Sequence, residues 1–448
     1  MDLPFDDTIA AVATPPGRGG VAVVRLSGRD LGGVLAGLLG RVPEPRQAIY
    51  TSFLSADGDA IDQGIALYFP APRSYTGQDT LELQCHGNPL IADHLLRRAM
   101  ELGARLANPG EFTQRAFLNG KLDLAQAEAV ADLINATTDL ALRSARHSLE
   151  GVFSQQVDGL ARALIQLRVQ IEAALDFSDE DIDYLEAAAL ARHIEANLHA
   201  LDTLLAQTRQ GVILREGYTV VLAGRPNSGK SSLLNALSGR DSAIVTDVPG
   251  TTRDVLREPI QIDGMPLHII DTAGLRRTDD PVEQEGVRRA RSHMAKANRI
   301  LHIVDASHET AADASALDLP PDIPITRIHN KVDLTRSPPG IRSEGDVVHI
   351  HLSAKTGAGI DALKQHLKQA ASFQAEGEGL FIARRRHLDA LTRCRDHLAD
   401  AVALTAADGP ELIAEQLRLA HDALGEITGT VSADDLLGHI FSTFCVGK

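Results

Sequence analysis

The chain runs to 448 residues, 44% hydrophobic and 23% charged, with 60 acidic against 44 basic residues and a net charge of -16. That balance suits several globular domains and argues against a free-standing nucleic-acid binder, which would be basic. Three distant cysteines (Cys85, Cys394 and Cys445), an acidic start, MDLPFDD, and no apolar run near spanning length exclude a disulfide framework, a signal peptide and a membrane helix, so a cytoplasmic protein is expected.

Residues 1–119 read as mixed α/β. Short β-rich runs, TIAAVATPP and GVAVVRLSG, flank the turn PPGRGG, and GIALYFP and TLELQ follow. Residues 120–215 change character. Leu160, Leu164, Leu167, Ile171 and Leu175 recur at spacings of three and four, as do Leu190, Ile194, Leu198, Leu201 and Leu205, the period of long amphipathic helices. Residues 216–374 alternate strand and helix signals, and 375–448 return to helical periodicity. The expected fold is multidomain α/β plus all-α: an N-terminal α/β domain, then a discontinuous helical domain with a doubly wound P-loop domain inserted into it.

The inserted part carries the chemistry. Gly224–Ser231, GRPNSGKS, matches G-x-x-x-x-G-K-[ST] between the β run TVVLA and the helical SSLLNAL. Its glycines let backbone N–H groups turn toward phosphate oxygens. Lys230 reaches the β and γ phosphates and Ser231 ligates Mg²⁺. Asn227, Ser228, Gly229 and Ser232 complete the nucleotide loop. Asp271, Thr272, Ala273 and Gly274 spell DTAG, with Asp271 toward the Mg²⁺ shell and the Gly274 amide toward the γ-phosphate. Asn330, Lys331 and Asp333 of NKVD, with Ser353, Ala354 and Lys355 of SAK, read the base. A carboxylate accepts from both N1–H and the 2-amino group of guanine, whereas adenine would leave it unpaired. Order and spacing are those of a GTPase.

Between these motifs lies TDVPGTTRD. Thr246, Asp247, Val248, Pro249, Gly250, Thr251 and Thr252 are candidate switch residues, and Arg253 is a candidate catalytic residue. The water-orienting glutamine of Ras-like proteins is replaced by Leu275. Glu283 is a nearby carboxylate that either acts through a water or is a solvated helix-start residue. No arginine finger is evident. An amide oxygen from Asn227, with switch carbonyls, suits a monovalent cation instead. One positive charge at ~4 Å is worth ~4 kcal/mol at an effective dielectric near 20, about a thousandfold in rate.

Together GRPNSGKSSLLNAL, TDVPGTTRDVLRE, IIDTAGLR, NKVD and the terminal FCVGK resemble the MnmE (TrmE) family of tRNA modification GTPases. The likeness extends through ATPPGRGGVAVVRLSG, PGEFTQRAFLNGKLDLAQAEAVADLI and FIARRRHL. It implies a tetrahydrofolate-binding N-terminal domain that also dimerises, and a FAD-containing partner, MnmG (GidA). It also implies addition of a carboxymethylaminomethyl-type group to C5 of the wobble uridine in the tRNA anticodon region, using 5,10-methylenetetrahydrofolate. By position, K⁺ would take Asn227, Thr246, Val248 and Thr251, Mg²⁺ would take Ser231 and Thr252, and Glu283 would place the water. Folate would be met by Arg25, Glu82, Lys121 and Lys448. A pterin presents the same N–H and 2-amino edge as guanine, which suits Glu82, and cations suit the anionic glutamate tail. The family often has two glycines in its CHGG region. Here Asn88 takes the second place, and its tolerance of positive φ is expected to preserve the turn.

Cys445 stands fourth from the end, as in a prenylation signal, but Gly447 and Lys448 fit that signal badly. An apolar stripe, Leu436, Leu437, Ile440, Phe441 and Phe444, is expected to dock the tail and bring Cys445 and Lys448 to the folate chemistry. Cys445 is then either a reactive thiol or a buried inert one. GRGGVA is followed by a β run and is no dinucleotide fingerprint. Cys85 and His86 lack a second ligand pair for zinc. Arg384–His387, RRRH, reads either as a tRNA or partner contact or as a solvated helix face. Alternatives are a ribosome-assembly GTPase or a lipid-anchored signalling GTPase.

Overall fold

The computed structural model describes residues 6–176, 187–238, 257–271, 297–308, 322–335, 337–344, 347–374, 379–404, 410–430 and 434–447. The first elements are β1 (Ile9–Val12), β2 (Val21–Gly28), α1 (Gly32–Leu39), β3 (Ile49–Leu54), β4 (Ala60–Phe69), β5 (Asp79–His86), α2 (Pro89–Glu101) and β6 (Arg105–Leu106). Five helices follow: α3 (Glu111–Leu118), α4 (Leu124–Asn135), α5 (Asp139–Leu149), α6 (Val152–Asp176) and α7 (Ala187–Glu216). Then come β7 (Tyr218–Gly224), α8 (Lys230–Leu237), β8 (Arg257–Ile262), β9 (Met265–Asp271), β10 (Arg299–Asp305), β11 (Ile325–Asn330), β12 (Gly340–Glu344), β13 (Val347–His351) and α9 (Ile360–Ala370). The last three are α10 (Arg385–Leu404), α11 (Pro410–Thr428) and α12 (Asp434–Ser442). The chain divides into two compact units: 1–134 with 148–199 and 390–448, and 135–147 with 200–389.

The first unit is built on a six-stranded sheet, β3-β4-β5-β2-β1-β6, antiparallel except for β1 with β6. Strand alternation decides its two faces. Val24, Leu26, Leu81, Leu83 and Ala66 point inward with Leu35 and Leu38 of α1 and Leu95 and Ala99 of α2, one buried cluster. The opposite face carries Arg25 and Glu82, register partners on β2 and β5. Asn88 departs from the expectation for it. Its φ is -106, and its side chain caps α2 by accepting the Leu90 N–H at 3.0 Å. The asparagine is there as a helix cap, a role open to any Asx residue at a β-region φ.

The helical periodicity materialises as α6 and α7. Leu160, Leu164, Leu167 and Ile171 of α6 are buried, as are Leu190, Ile194, Leu201 and Leu205 of α7. Leu437, Ile440, Phe441 and Phe444 of the C-terminal stripe bury against Leu124 and Ala127 of α4 and Phe117 of α3. Each such side chain contributes roughly 1.5–3 kcal/mol of burial, enough to hold a segment that would otherwise fray. Leu436 lies outside the residues whose side chains are described.

The second unit has a seven-stranded sheet, β12-β13-β11-β10-β7-β9-β8, parallel in its interior with an antiparallel strand at each edge. Its central strands read as continuous apolar runs because both faces are covered. Val220, Val221, Leu222 and Ala223 of β7 are all buried. The β8–β9 turn rests on α5: Thr138 Oγ1 donates to the Gly264 carbonyl at 3.3 Å, and a Cβ on Gly264 would meet Leu140 at 3.1 Å.

Candidate functional site

The P-loop turn is fixed by backbone geometry before any ligand chemistry. Gly224 ends β7 with φ +158, Asn227 has φ +62 and Gly229 has φ +97. A Cβ on Gly224 would lie 2.4 Å from the Ile303 carbonyl oxygen, and one on Gly229 would lie 2.1 Å from Asn330 Nδ2. Only glycine fits either position. Gly229 is the N-cap of α8 and offers no side chain to the helix's first N–H groups, so those donors and the positive helix end face the loop. Lys230 is buried and its Nζ donates to the carbonyls of Gly224 at 2.9 Å and Arg225 at 3.0 Å, which holds the ammonium over the turn. Ser231 and Ser232 follow on the exposed first turn of α8.

Asn330 joins this loop to the base-reading segments. It is 2% exposed, its Nδ2 donates to the Ser228 carbonyl at 2.9 Å, and its Oδ1 accepts the Ala354 N–H at 3.0 Å. Ser353 Oγ donates to Asp333 Oδ1 at 2.6 Å. This holds the carboxylate while leaving acceptor sites for the N1–H and 2-amino edge of guanine. Lys331 has φ +67 and its Nζ donates to Asp305 Oδ2 at 2.6 Å. Burial opposes ionisation of Asp305, but its hydrogen bonds from Lys331 and Ser307 prevail and bring its pKa down to about 2. Lys355 is exposed. Asp271 ends β9 in register with Leu222, two residues before Gly224.

Asn227, Ser228, Gly229, Lys230, Asn330, Lys331, Asp333, Ser353 and Ala354 are thus brought to one end of the sheet. Thr246 to Arg253, Thr272 to Gly274, and Glu283 lie outside the described residues. The loop's donors, Lys230 and the Asn330–Asp333–Ser353 network fit a guanine nucleotide. Of the expected cation ligands, Ser231 and Asn227 are the ones described, both on the solvent side of the loop.

A second polar site lies on the first unit's sheet. Arg25 pairs with Glu82 Oε1 through Nε at 2.9 Å and NH2 at 2.8 Å. Its NH1 donates to the Gly447 carbonyl at 3.4 Å, and its guanidinium stands 5.7 Å from the Tyr75 ring and 5.8 Å from the Phe112 ring. Gly447 has φ +96, and a Cβ there would lie 2.5 Å from the Val12 carbonyl oxygen. The Gly110 N–H donates to the Cys445 carbonyl at 3.3 Å. The tail therefore lies along β1 and the start of α3. Lys121 donates to the Pro72 carbonyl at 3.2 Å, on the loop that carries Tyr75, and Lys448 lies outside the described residues. Among the described residues both Arg25 contacts to Glu82 fall on Oε1, so Oε2 suits a ligand N–H and the arrangement fits a pterin edge. Cys445 is exposed, which removes the buried-thiol alternative, while Cys85 and Cys394 are buried.

Other sequence candidates have local partners. His86 Nδ1 pairs with Asp62 at 2.9 Å, Arg385 pairs with Glu216 at 2.9 Å, and buried His387 accepts the Arg384 N–H at 3.1 Å. The sequence reading missed Asp305, Ser307, Tyr75 and Phe112. Asp305 and Ser307 had a faint signal, a D-x-S step closing an apolar strand. The two aromatic residues had none.

A glycine-lined phosphate loop leading into a helix, tied by a buried asparagine to the Ser353–Ala354 segment that holds a carboxylate suited to guanine, defines a P-loop GTPase. Residues 8–121 match the family described as GTP-binding protein TrmE N-terminus, and residues 124–445 match the MnmE helical domain. The chain is 57% identical over 448 residues, all of both chains, to the tRNA modification GTPase MnmE of Methylococcus capsulatus. It is 56% identical to that of Alkalilimnicola ehrlichii over 98% of this chain and 99% of the relative, and 53% identical to that of Proteus mirabilis over 99% of each. The chain belongs to the MnmE family of tRNA modification GTPases.

Proposed function

We propose that this GTPase hydrolyses GTP with the help of potassium and couples the cycle to modification of the tRNA wobble uridine, adding a carboxymethylaminomethyl-type group at C5. A GTP hydrolase acting in tRNA modification is the activity of the family to which the chain belongs. The observation that carries the nucleotide reading is the Asn330 bridge, which locks the phosphate loop and the guanine-reading segments into one body. Lys230 and the α8 N-terminus bind and orient the phosphates, and Asp333 selects guanine. Glu283 positions the attacking water in this reading, with Arg253 nearby in the switch segment. Asn227, Thr246, Val248 and Thr251 would hold potassium, which would supply the positive charge that an arginine provides elsewhere, and Ser231 and Thr252 would hold Mg²⁺.

The second site is read as the place for a methylenetetrahydrofolate, the source of the one-carbon unit. Arg25 and Glu82 orient it, Lys121 and Lys448 meet its anionic tail, and Cys445 stands alongside. A homodimer through the N-terminal domain is supported by the open face of the six-stranded sheet, where Val21, Tyr50 and Ile65 are exposed. The FAD-containing partner MnmG and a cytoplasmic setting complete the reading. Its domains are 1–119, 120–215, 216–374 and 375–448. Among the described residues, no helix is long and apolar enough to cross a membrane.

Hydrolysis measured in KCl and in NaCl tests the mechanism. A rate at least a hundredfold higher in potassium is expected, and equal rates discard the cation. Nucleoside analysis of tRNA from cells lacking the protein tests the substrate, since an intact wobble modification would remove the assignment.

A further inference from the structure

Lys331 lies between the two side chains that read the base and lock the loop, Asn330 and Asp333, and its own placement is unusual. The residue adopts φ +67, a left-handed conformation that is strained for a non-glycine residue. A long lysine side chain on such a turn has many rotamers unless its end is held. Here it is held: Nζ donates to Asp305 Oδ2 at 2.6 Å, with the lysine and aspartate side chains 31% and 22% exposed.

Asp305 is itself fixed from the other side. Its Oδ1 accepts the Ser307 N–H at 3.0 Å and the Ser307 hydroxyl at 2.6 Å. Its backbone is the register partner of Asn330, and the next residue, Ala306, donates its N–H to the Asn330 carbonyl at 2.9 Å. One oxygen of the carboxylate thus belongs to the end of β10 and the other to the base-reading loop. The lysine, two residues before Asp333, is thereby held at its far end instead of being a mobile chain to be ordered when nucleotide arrives.

We propose that Asp305, braced by Ser307, is a positioning residue for guanine nucleotides: it pre-orders Lys331 and so raises affinity for the purine without reading its edge. Base identity stays with Asp333. Replacing Asp305 therefore weakens guanine, hypoxanthine and xanthine nucleotides by the same factor.

The test is GDP, IDP and XDP affinity of the full chain carrying Asp305→Asn, Lys331→Ala, or both, measured by titration calorimetry. Asp305→Asn is expected to weaken all three nucleotides by about tenfold and to have no further effect in the Lys331→Ala background. Ser307→Ala, which keeps the ion pair, is expected to weaken them about threefold and serves where Asp305→Asn does not fold. Wild-type affinity in Asp305→Asn overturns the proposal. So does a loss that simply adds to that of Lys331→Ala, because Asp305 would then be supporting the fold and not the lysine. A change in the ratio of GDP to XDP affinity overturns the claim that base identity is untouched. Where neither single variant is soluble, full GDP affinity in Ser307→Ala is the overturning result.

Discussion

The nucleotide site and the Arg25 site are assembled on opposite principles. The first is made of short contiguous stretches whose backbone does the work: Gly224 and Gly229 are demanded by close approach, and Asn330 bonds main-chain atoms on two loops. The second is made mostly of single side chains, drawn from β2, β5, the loop before β5 and the start of α3, which meet around one guanidinium with a lone carbonyl from the C-terminal tail. A backbone-built site tolerates little substitution and leaves a motif. A side-chain-built site depends on the whole fold and leaves almost no local trace.

The largest expected effect breaks the backbone-built side of the comparison. Gly229→Ala places a Cβ against Asn330 Nδ2 and strains a left-handed turn. GTP affinity is expected to fall by at least about a hundredfold, while Cys445 keeps its wild-type alkylation rate. Near-normal affinity on fluorescent-nucleotide titration would show that the loop is not set by its glycines.

Next is the ionic cluster at the N-terminus of α3. Buried Arg115 pairs with Glu111 at 2.9 Å and with Asp7 at 2.7 Å, and Arg105 reaches Glu111 at 2.6 Å. Burial acts to raise the Glu111 pKa, but hydrogen bonds from Arg105, Asn108 and Arg115 outweigh it and the value is depressed. A depressed carboxyl stabilises the fold above its unfolded value, near 4.5, and that stability is lost as pH falls through the lower folded value. Glu111→Gln is expected to cost about 3 kcal/mol at neutral pH and to flatten the acid limb of a melting-temperature profile below pH 4.5. A variant whose profile still tracks wild type through that range would remove Glu111 from the account.

The smallest effect sharpens the comparison at the side-chain-built site. Gly447→Ala drives a Cβ into the Val12 carbonyl and unseats the tail. Because the Gly110 N–H donates to the Cys445 carbonyl of the seated tail, hydrogen exchange at the Gly110 amide reads tail seating directly. It is expected to quicken by about tenfold, with GTP affinity unchanged. A coupled loss of GTP affinity would mean that the two sites are not independent.

What was legible in the sequence follows the same divide. Strands β7 and β9 stand out because each is a largely buried, mostly apolar run ending in a motif, and β11 because it runs into NKVD. The edge strands β3 and β12 are not signalled: Tyr50 and Ile341 are exposed apolar residues that blur the alternation an inward face would give. Arg25 and Glu82 were reachable only through family resemblance. Nothing in their surroundings distinguishes them from surface charge until β2 and β5 pair in register and set them opposite one another. Tyr75 and Phe112 needed the tertiary fold itself.

The reach from Arg25 to the Gly447 carbonyl spans 422 positions. On the ribosome, then, the Glu82 carboxylate is available to Arg25 long before the tail carbonyl is. The site is half-formed through most of synthesis and is finished only after the residues of α12 have emerged and packed. A chain released early by a premature stop would carry an arginine already paired to its neighbour yet lacking its last hydrogen-bond acceptor, and such fragments are open on this face.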